Sequence, residues 1–146
     1  MAKKVGVLPW RRMSGGIEIL LITTRDTRRW VVPKGAVQNG LTAQESAERE
    51  AFEEAGVLGA VEPAAIGSFH HDRGPPELGT EEIALFPMLV RAECAIWPEH
   101  GQRDLAWLPA EAAADRVDSP ELGALIREFA RAEEARAAAS GGVSRG

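Results

Sequence analysis

Three glutamates, Glu50, Glu53 and Glu54, stand at i, i+3 and i+4 in the run GAVQNGLTAQESAEREAFEEAGV, residues 35 to 57. On a helix, at about 100° per residue, their side chains share roughly a 100° arc of one face. Like charges at that spacing destabilise an isolated helix, so something must compensate. Hard carboxylate oxygens converging on one point are what magnesium, manganese or calcium prefers. Alone, an E-x-x-E-E run is more often a solvated helix face; its surroundings change that reading. Ala47, Ala51 and Ala55 form a stripe of small residues beside the acidic face, with Phe52 roughly behind it. Such a helix can lie close against a sheet and hold its carboxylates still. Arg49, at i, i+4 from Glu53, can orient a carboxylate without taking up metal-facing space.

The helix carrying these residues is well punctuated. Thr42 and Glu45 form the S/T-x-x-E capping box, and Gly56 supplies a left-handed stop, so a helix of about 13 residues is expected. Upstream, Val5–Trp10 reads as a strand, Met13–Gly16 as a turn and Ile17–Thr23 as a buried strand, together a hairpin. Trp30–Val32 is a short strand stopped by Pro33, and Gly35–Leu41 a loop. Downstream, Val61–His70 reads as a strand and His71–Thr80, with Gly74-Pro75-Pro76, as a loop. Ile83–Ala92 is a strand in which Pro87 implies an edge position or a bulge. Asp104–Leu108 is a short strand and Ala110–Ala114 a short helix. Ser119 caps a last helix with Pro120 in its first position, and Leu122, Leu125, Ile126 and Phe129 recur on one face. The helix dissolves into Ala-Ala-Ala-Ser-Gly-Gly, which starts at Ala137, and the tail over 138–146 is expected to be disordered. Strands mixed with few helices mean α+β or α/β, not all-helical.

The bulk composition bounds the remaining classes. A length of 146 residues suits one domain, and a hydrophobic fraction of 45% suffices for one core. No stretch approaches the ~18–20 apolar residues of a membrane span. The basic Met1–Lys4 start is followed by an apolar run cut by Pro9, Arg11 and Arg12, unlike a signal peptide. Cys94 is the single cysteine, which excludes an intrachain disulfide and fits a reducing cytoplasm. A net charge of −5 argues against general nucleic-acid binding but leaves room for a local basic pocket. Arg25, Arg28, Arg29 and Lys34 cluster just before the glutamate segment and could converge on phosphate, with Arg11, Arg12 and Arg103 as weaker candidates. Against each stands the plainer reading of a solubilising surface charge. His70 and His71 read as structural or substrate-adjacent. An aromatic content of 5%, without tyrosine, favours a highly phosphorylated ligand over one read chiefly by a base.

The segment resembles the Nudix box, G-x5-E-x7-R-E-U-x-E-E-x-G-U with U bulky and aliphatic. The match falls on Gly35, Arg49, Glu50, Glu53, Glu54, Gly56 and Val57. At average residue usage, the first six would co-occur by chance on the order of once in 10⁵ chains this long. Two positions depart from it. Leu41 stands where the pattern has its first glutamate, and Ala51 where it has its first aliphatic residue. Leu41 removes a loop carboxylate, which Glu45 could replace only in part. Trp30-Val-Val-Pro-Lys-Gly35 looks like the approach to the box in the diphosphoinositol and diadenosine polyphosphate branch. Trp97-Pro98-Glu99, Gln102-Arg103 and Trp107-Leu108-Pro109 resemble the back half of that branch.

The resemblance implies a single domain over 1–137 with the Nudix α/β/α sandwich, a mixed central sheet and a loop–helix box. It implies hydrolysis of a phosphoanhydride bond with Mg2+, or Mn2+, held by Glu50, Glu53, Glu54 and the Gly35 carbonyl. Lys34 and the neighbouring arginines would bind a small polyphosphorylated substrate of diadenosine polyphosphate or diphosphoinositol type. One glutamate of the set, or a loop carboxylate such as Glu81, Glu82 or Glu99, would be the base. Nucleotide clean-up and removal of pyrophosphate from RNA 5′ ends are alternatives, and a homodimer is compatible with all of them. The rival from another class is a domain that binds a phosphorylated metabolite without cleaving it.

Overall fold

The computed structural model describes residues 4–145, with side chains through Ser140. The chain order is β1 (Lys4–Met13), β2 (Gly16–Thr23), β3 (Trp30–Val31), β4 (Lys34–Ala36), α1 (Ala43–Ala55), β5 (Val57–Val61), β6 (Gly67–Asp72), a 3-10 turn (Pro76–Leu78), β7 (Thr80–Glu93), β8 (Leu105–Pro109), α2 (Ala110–Arg116) and α3 (Pro120–Arg145). The β1–β2 hairpin closes with Met13 opposite Gly16. The sheet runs β3-β2-β1-β7-β5, with β8 beside β2, β4 beside β1 and β6 beside β7. It is mixed: β1 and β7 are parallel, Lys4–Trp10 against Ile83–Leu89, and the other pairs are antiparallel.

Strand alternation feeds both faces of this sheet. Val5 and Val7 of β1, with Leu20 and Ile22 of β2, point to the face covered by α1 and join Ala47, Ala51 and Ala55. Leu8, Trp10, Ile19 and Leu21 point the other way and meet Leu122, Ile126 and Phe129 of α3 and Ala113 of α2. A strand buried on both faces is apolar along its length, which is how β2 reads. The result is helix–sheet–helix, the α/β sandwich with a mixed central sheet that the sequence analysis expected. The buried apolar residues of α1 are all alanines, so the helix packs closely on β1 and β5.

Several local expectations change. The segment expected as one strand over 61–70 is the end of β5, a loop and β6. Gly35 lies in the short strand β4 and pairs with Val5, not in a loop. Pro87 marks neither an edge nor a bulge. It sits inside β7, opposite Leu8, where the neighbour on β7's other side changes from β6 to β5. Leu85 and Pro87 accept from the N–H groups of Ile66 and Glu62, the two ends of the connecting loop, so the missing proline donor falls in a gap of the ladder. The bulge of this region lies at Leu58/Gly59. Finally, α3 runs to Arg145, so it includes the stretch expected as a tail from residue 138, and residue 146 lies outside the described residues. Its alanine-rich end has enough helix propensity to carry the backbone through the glycine pair at 141–142.

Candidate active site

The glutamate helix begins and ends as its caps dictate. Thr42 Oγ1 accepts from the Glu45 N–H at 3.0 Å, and Glu45 Oε1 accepts from the Thr42 N–H at 2.9 Å. Gly56 takes φ 68° and its N–H donates back into the last turn. Glu45 is therefore occupied by the cap and does not stand in for the carboxylate lacking at Leu41.

Glu50 and Glu54 point inward and are 8% and 7% exposed; Glu53 is half-buried. The Glu50 carboxylate rests against Gly35, where an added Cβ would lie 2.4 Å from the carboxyl carbon. Only glycine leaves that space. Gln38 Nε2 donates to Glu50 Oε2 at 3.4 Å, and the Gln38 N–H is held by Ser46 Oγ at 3.0 Å. Arg49 Nη1 donates to Gln38 Oε1 at 3.0 Å. Arg49 thus supports Glu50 through Gln38, rather than orienting Glu53 across one helical turn as its spacing suggested. Glu54 Oε1 accepts from the Lys34 N–H at 3.2 Å, and Glu54 Oε2 lies 3.7 Å from Arg103 Nη2.

Burial dominates the charge state of this pair. Desolvation pushes the Glu54 carboxyl up to about 8, opposed by Arg103 and reinforced by Glu50, with which it shares a hydrogen bond. Glu50 is raised for the same first reason, with Glu53 adding repulsion. Two buried acids whose side chains meet one cation, Arg103, among the described residues favour holding a proton near neutrality. Among the described residues no three carboxylate, imidazole or thiol groups converge on one point. Glu50 and Glu54 meet, and Glu53 stands apart, so the three-way convergence read from spacing is realised for two. The donor set still suits a hard divalent ion: anionic oxygens only, with the Gly35 backbone beside them.

A cleft of about 500 Å3 shares Lys34 and Arg103 with this pair, both of which contact Glu54. Its wall also carries Arg25, Arg29 and Arg73 and the acids Asp26, Asp72 and Glu81, while Glu50 and Glu54 themselves do not line it. Three of the four cations expected before the box, Arg25, Arg29 and Lys34, therefore share one cleft. Arg28 does not line it. This residue is the one described non-glycine with positive φ, 57°, and its guanidinium turns to Thr23 Oγ1 at 3.3 Å and Asp104 at 3.7 Å. Arg11 and Arg12 also lie elsewhere, paired with Glu18 and Glu133. Arg103 is better placed than its sequence context suggested. It is half-buried, donates to the Thr23 carbonyl at 3.1 Å and to Glu99 at 2.9 Å, and reaches Glu54. The loop that carries it, 94–104, is pinned to the end of α1 by the Glu99 N–H on the Glu53 carbonyl and by Trp97 packed on Gly56. Gln38 and Arg73 were not singled out by sequence. Gln38 shows no pattern beyond lying three residues past Gly35, and Arg73 only abuts a Gly-Pro-Pro turn. Glu82 is exposed and pairs across from His70, on the strand face opposite Glu81.

The model of the NUDIX domain matches residues 2–129. This chain belongs to the Nudix family. Its enzymes are hydrolases that act on pyrophosphate bonds, generally with divalent cations. The Nudix chain is 34% identical over 122 residues to Nudix hydrolase 16, mitochondrial, of Arabidopsis thaliana, covering 79% of this chain and 67% of that one. It is 34% identical over 119 residues to Nudix hydrolase 18, mitochondrial, of the same plant, covering 76% of this chain and 66% of that one. Against Nudix hydrolase 13, mitochondrial, the shares are 79% and 60%. The chain thus spans about two thirds or less of the length of these relatives. Among solved structures, a C. elegans Ap4A hydrolase superposes with TM-score 0.70 at 23% identity, over 88% of this chain and 96% of that one. An E. coli dihydroneopterin triphosphate pyrophosphohydrolase superposes with TM-score 0.67 at 20% identity, over 87% and 93%. At these identities the likeness establishes the fold.

Proposed function

We propose that this Nudix domain hydrolyses a phosphoanhydride bond of a nucleoside- or inositol-type polyphosphate, with Mg2+ or Mn2+ bound at Glu50 and Glu54. Glu53 and the Gly35 carbonyl complete the proposed donor set. The observation that carries the reading is the buried pair Glu50–Glu54, joined through Lys34 and Arg103 to a cleft that Arg25 and Arg29 also line. A polyanionic substrate does not approach bare carboxylates; Glu50 and Glu54 would hold a divalent cation, which would supply charge neutralisation and a more acidic water. The protein's own contribution is positional. Gly35 and Gln38 fix Glu50, the Lys34 N–H and Arg103 fix Glu54, and the cleft cations hold the phosphates in line with the water. Glu81 and Glu99 already hold cations, so the proton acceptor is assigned to the helix glutamates. The fold likeness to an Ap4A hydrolase and the Trp30–Gly35 approach support a diadenosine polyphosphate or diphosphoinositol substrate.

A phosphate-release panel with magnesium tests this, spanning diadenosine polyphosphates, diphosphoinositol polyphosphates, nucleoside triphosphates and 5′-triphosphorylated RNA. Turnover of one of the first two classes above the others is expected. The rival reading, a domain that binds without cleaving, rests on Leu41, since Glu45 is committed to the helix cap. Retained ligand binding with no turnover across the panel establishes that rival instead.

A further inference from the structure

Glu81 is an acid placed in the wall of a cleft that must receive phosphate. Its carboxylate is 17% exposed and lies 3.8 Å from Lys4 Nζ, 3.9 Å from Lys34 Nζ and 3.8 Å from Arg73 Nε. These cations come from three separate pieces of backbone: β1, β4 and the turn that follows β6. Lys34 stands between two acids, since it also feels the Glu54 carboxylate, and burial lowers its ammonium below the usual range. On the next strand His71 pairs in register with Glu81 and is held below its usual range, first by burial and then by Lys34. The other cleft cations have partners of their own. Arg29 is 3.5 Å from Asp118, Arg103 binds Glu54 and Glu99, and Arg25 binds the neutral Gln102.

A phosphate near Glu54 in this cleft meets Lys34 and Arg103, the two lining residues that contact that carboxylate. One extending further along the chain, toward Arg73, meets the fixed negative charge of Glu81. That repulsion between like charges rises with each added phosphate and is weakened by salt. If the cluster served only to tie three backbone segments together, neutralising it would weaken every substrate alike. If it sits where further phosphates would lie, the penalty grows with their number. We infer that Glu81 is a specificity-determining residue that limits how many phosphates the Lys34–Arg73 end of the cleft accepts. It fills, as an internal anion, the place a further phosphate would take. Its neutral amide would remove the carboxylate that pairs with Lys4, Lys34 and Arg73 together, leaving Asp72 as the acid at that end, and would favour longer chains.

This rests on the proposed phosphoanhydride hydrolysis, and a paired measurement keeps the two apart. Wild type and Glu81→Gln are compared on diadenosine polyphosphates with two, three, four and five phosphates, by kcat/KM with magnesium. In parallel, Kd values for inorganic pyrophosphate, tripolyphosphate and tetrapolyphosphate are measured by calorimetry, which needs no turnover. The variant should raise the long-to-short preference on the order of tenfold in both series, with KM rather than kcat carrying the change. Equal effects at every length, with a lowered Tm, mean that Glu81 only ties the strands together and overturn the inference. A collapse of kcat at every length places Glu81 in the chemical step and overturns it equally. If wild type turns over none of the dinucleotides while the calorimetric ratio still shifts, the hydrolase reading fails and the chain-length filter stands.

Discussion

At the scale of single residues, the chemistry depends on keeping two carboxylates dry and close. Glu54→Gln removes the charge that would face the metal while keeping the shape and the contact with the Lys34 N–H. Turnover should fall at least about a hundredfold, equivalent to ~3 kcal/mol, with circular dichroism unchanged. Near-normal rates with magnesium would refute the assignment. The identities of Glu50, Glu53 and Glu54 were legible in the sequence because helical spacing and the box name them. Their unequal burial was not. Which of three glutamates on a 100° arc turns inward depends on how α1 rolls against β1 and β5, a tertiary matter. The same holds for the cations. Arg28 and Arg29 are adjacent and chemically identical, yet one faces Asp104 and the other the cleft, because Arg28 adopts the left-handed conformation.

At the scale of elements, the helix and the loop behind it form one unit. Gly56 ends α1 in a left-handed turn, and an added Cβ would lie 2.4 Å from the Trp97 ring. Gly56→Ala should therefore cost about 2–3 kcal/mol, part for the backbone and part for displacing Trp97. Gly40, at φ 83° with open space around it, is the control, and Gly40→Ala should cost only about 1 kcal/mol. Urea unfolding separates the two. The Gly56 variant should also lose more activity than its folded fraction explains, since the 94–104 loop carries Arg103; activity that tracks the folded fraction would contradict that link. Capping box, hairpin turn and the Ser119-Pro120 start were readable because each is a local rule written in adjacent residues. Pro87 misled for the opposite reason. Its tolerance inside β7 comes from a gap between β5 and β6, which are distant in sequence.

At the scale of the whole molecule, the buried acid pair couples stability to pH. An unfolded glutamate ionises near 4.5, whereas Glu54 in the fold keeps its proton to about 8. Between those values the folded state binds more protons than the unfolded one, so stability falls as pH rises. In metal-free protein, the wild-type Tm should decline from pH 5 to pH 8 relative to Glu54→Gln, measured by scanning calorimetry with chelator. Parallel curves would show that Glu54 ionises normally in the fold. A sandwich of this kind was foreseeable from the box, but the order of its strands was not, because pairing between β1 and β7 leaves no local mark. That pairing also fixes a sequence of events during folding. Strand β7 is the partner of β1, β5 and β6 alike, and it begins only at Thr80. Until it emerges, Val5, Val7 and Leu8 have no parallel neighbour, and the central sheet cannot close. Long-range parallel pairing of this sort is slow. Strand β1 is held early at its two ends by β2 and β4, but its middle waits for β7, and a nascent chain must keep that exposed edge from finding other partners in the interval.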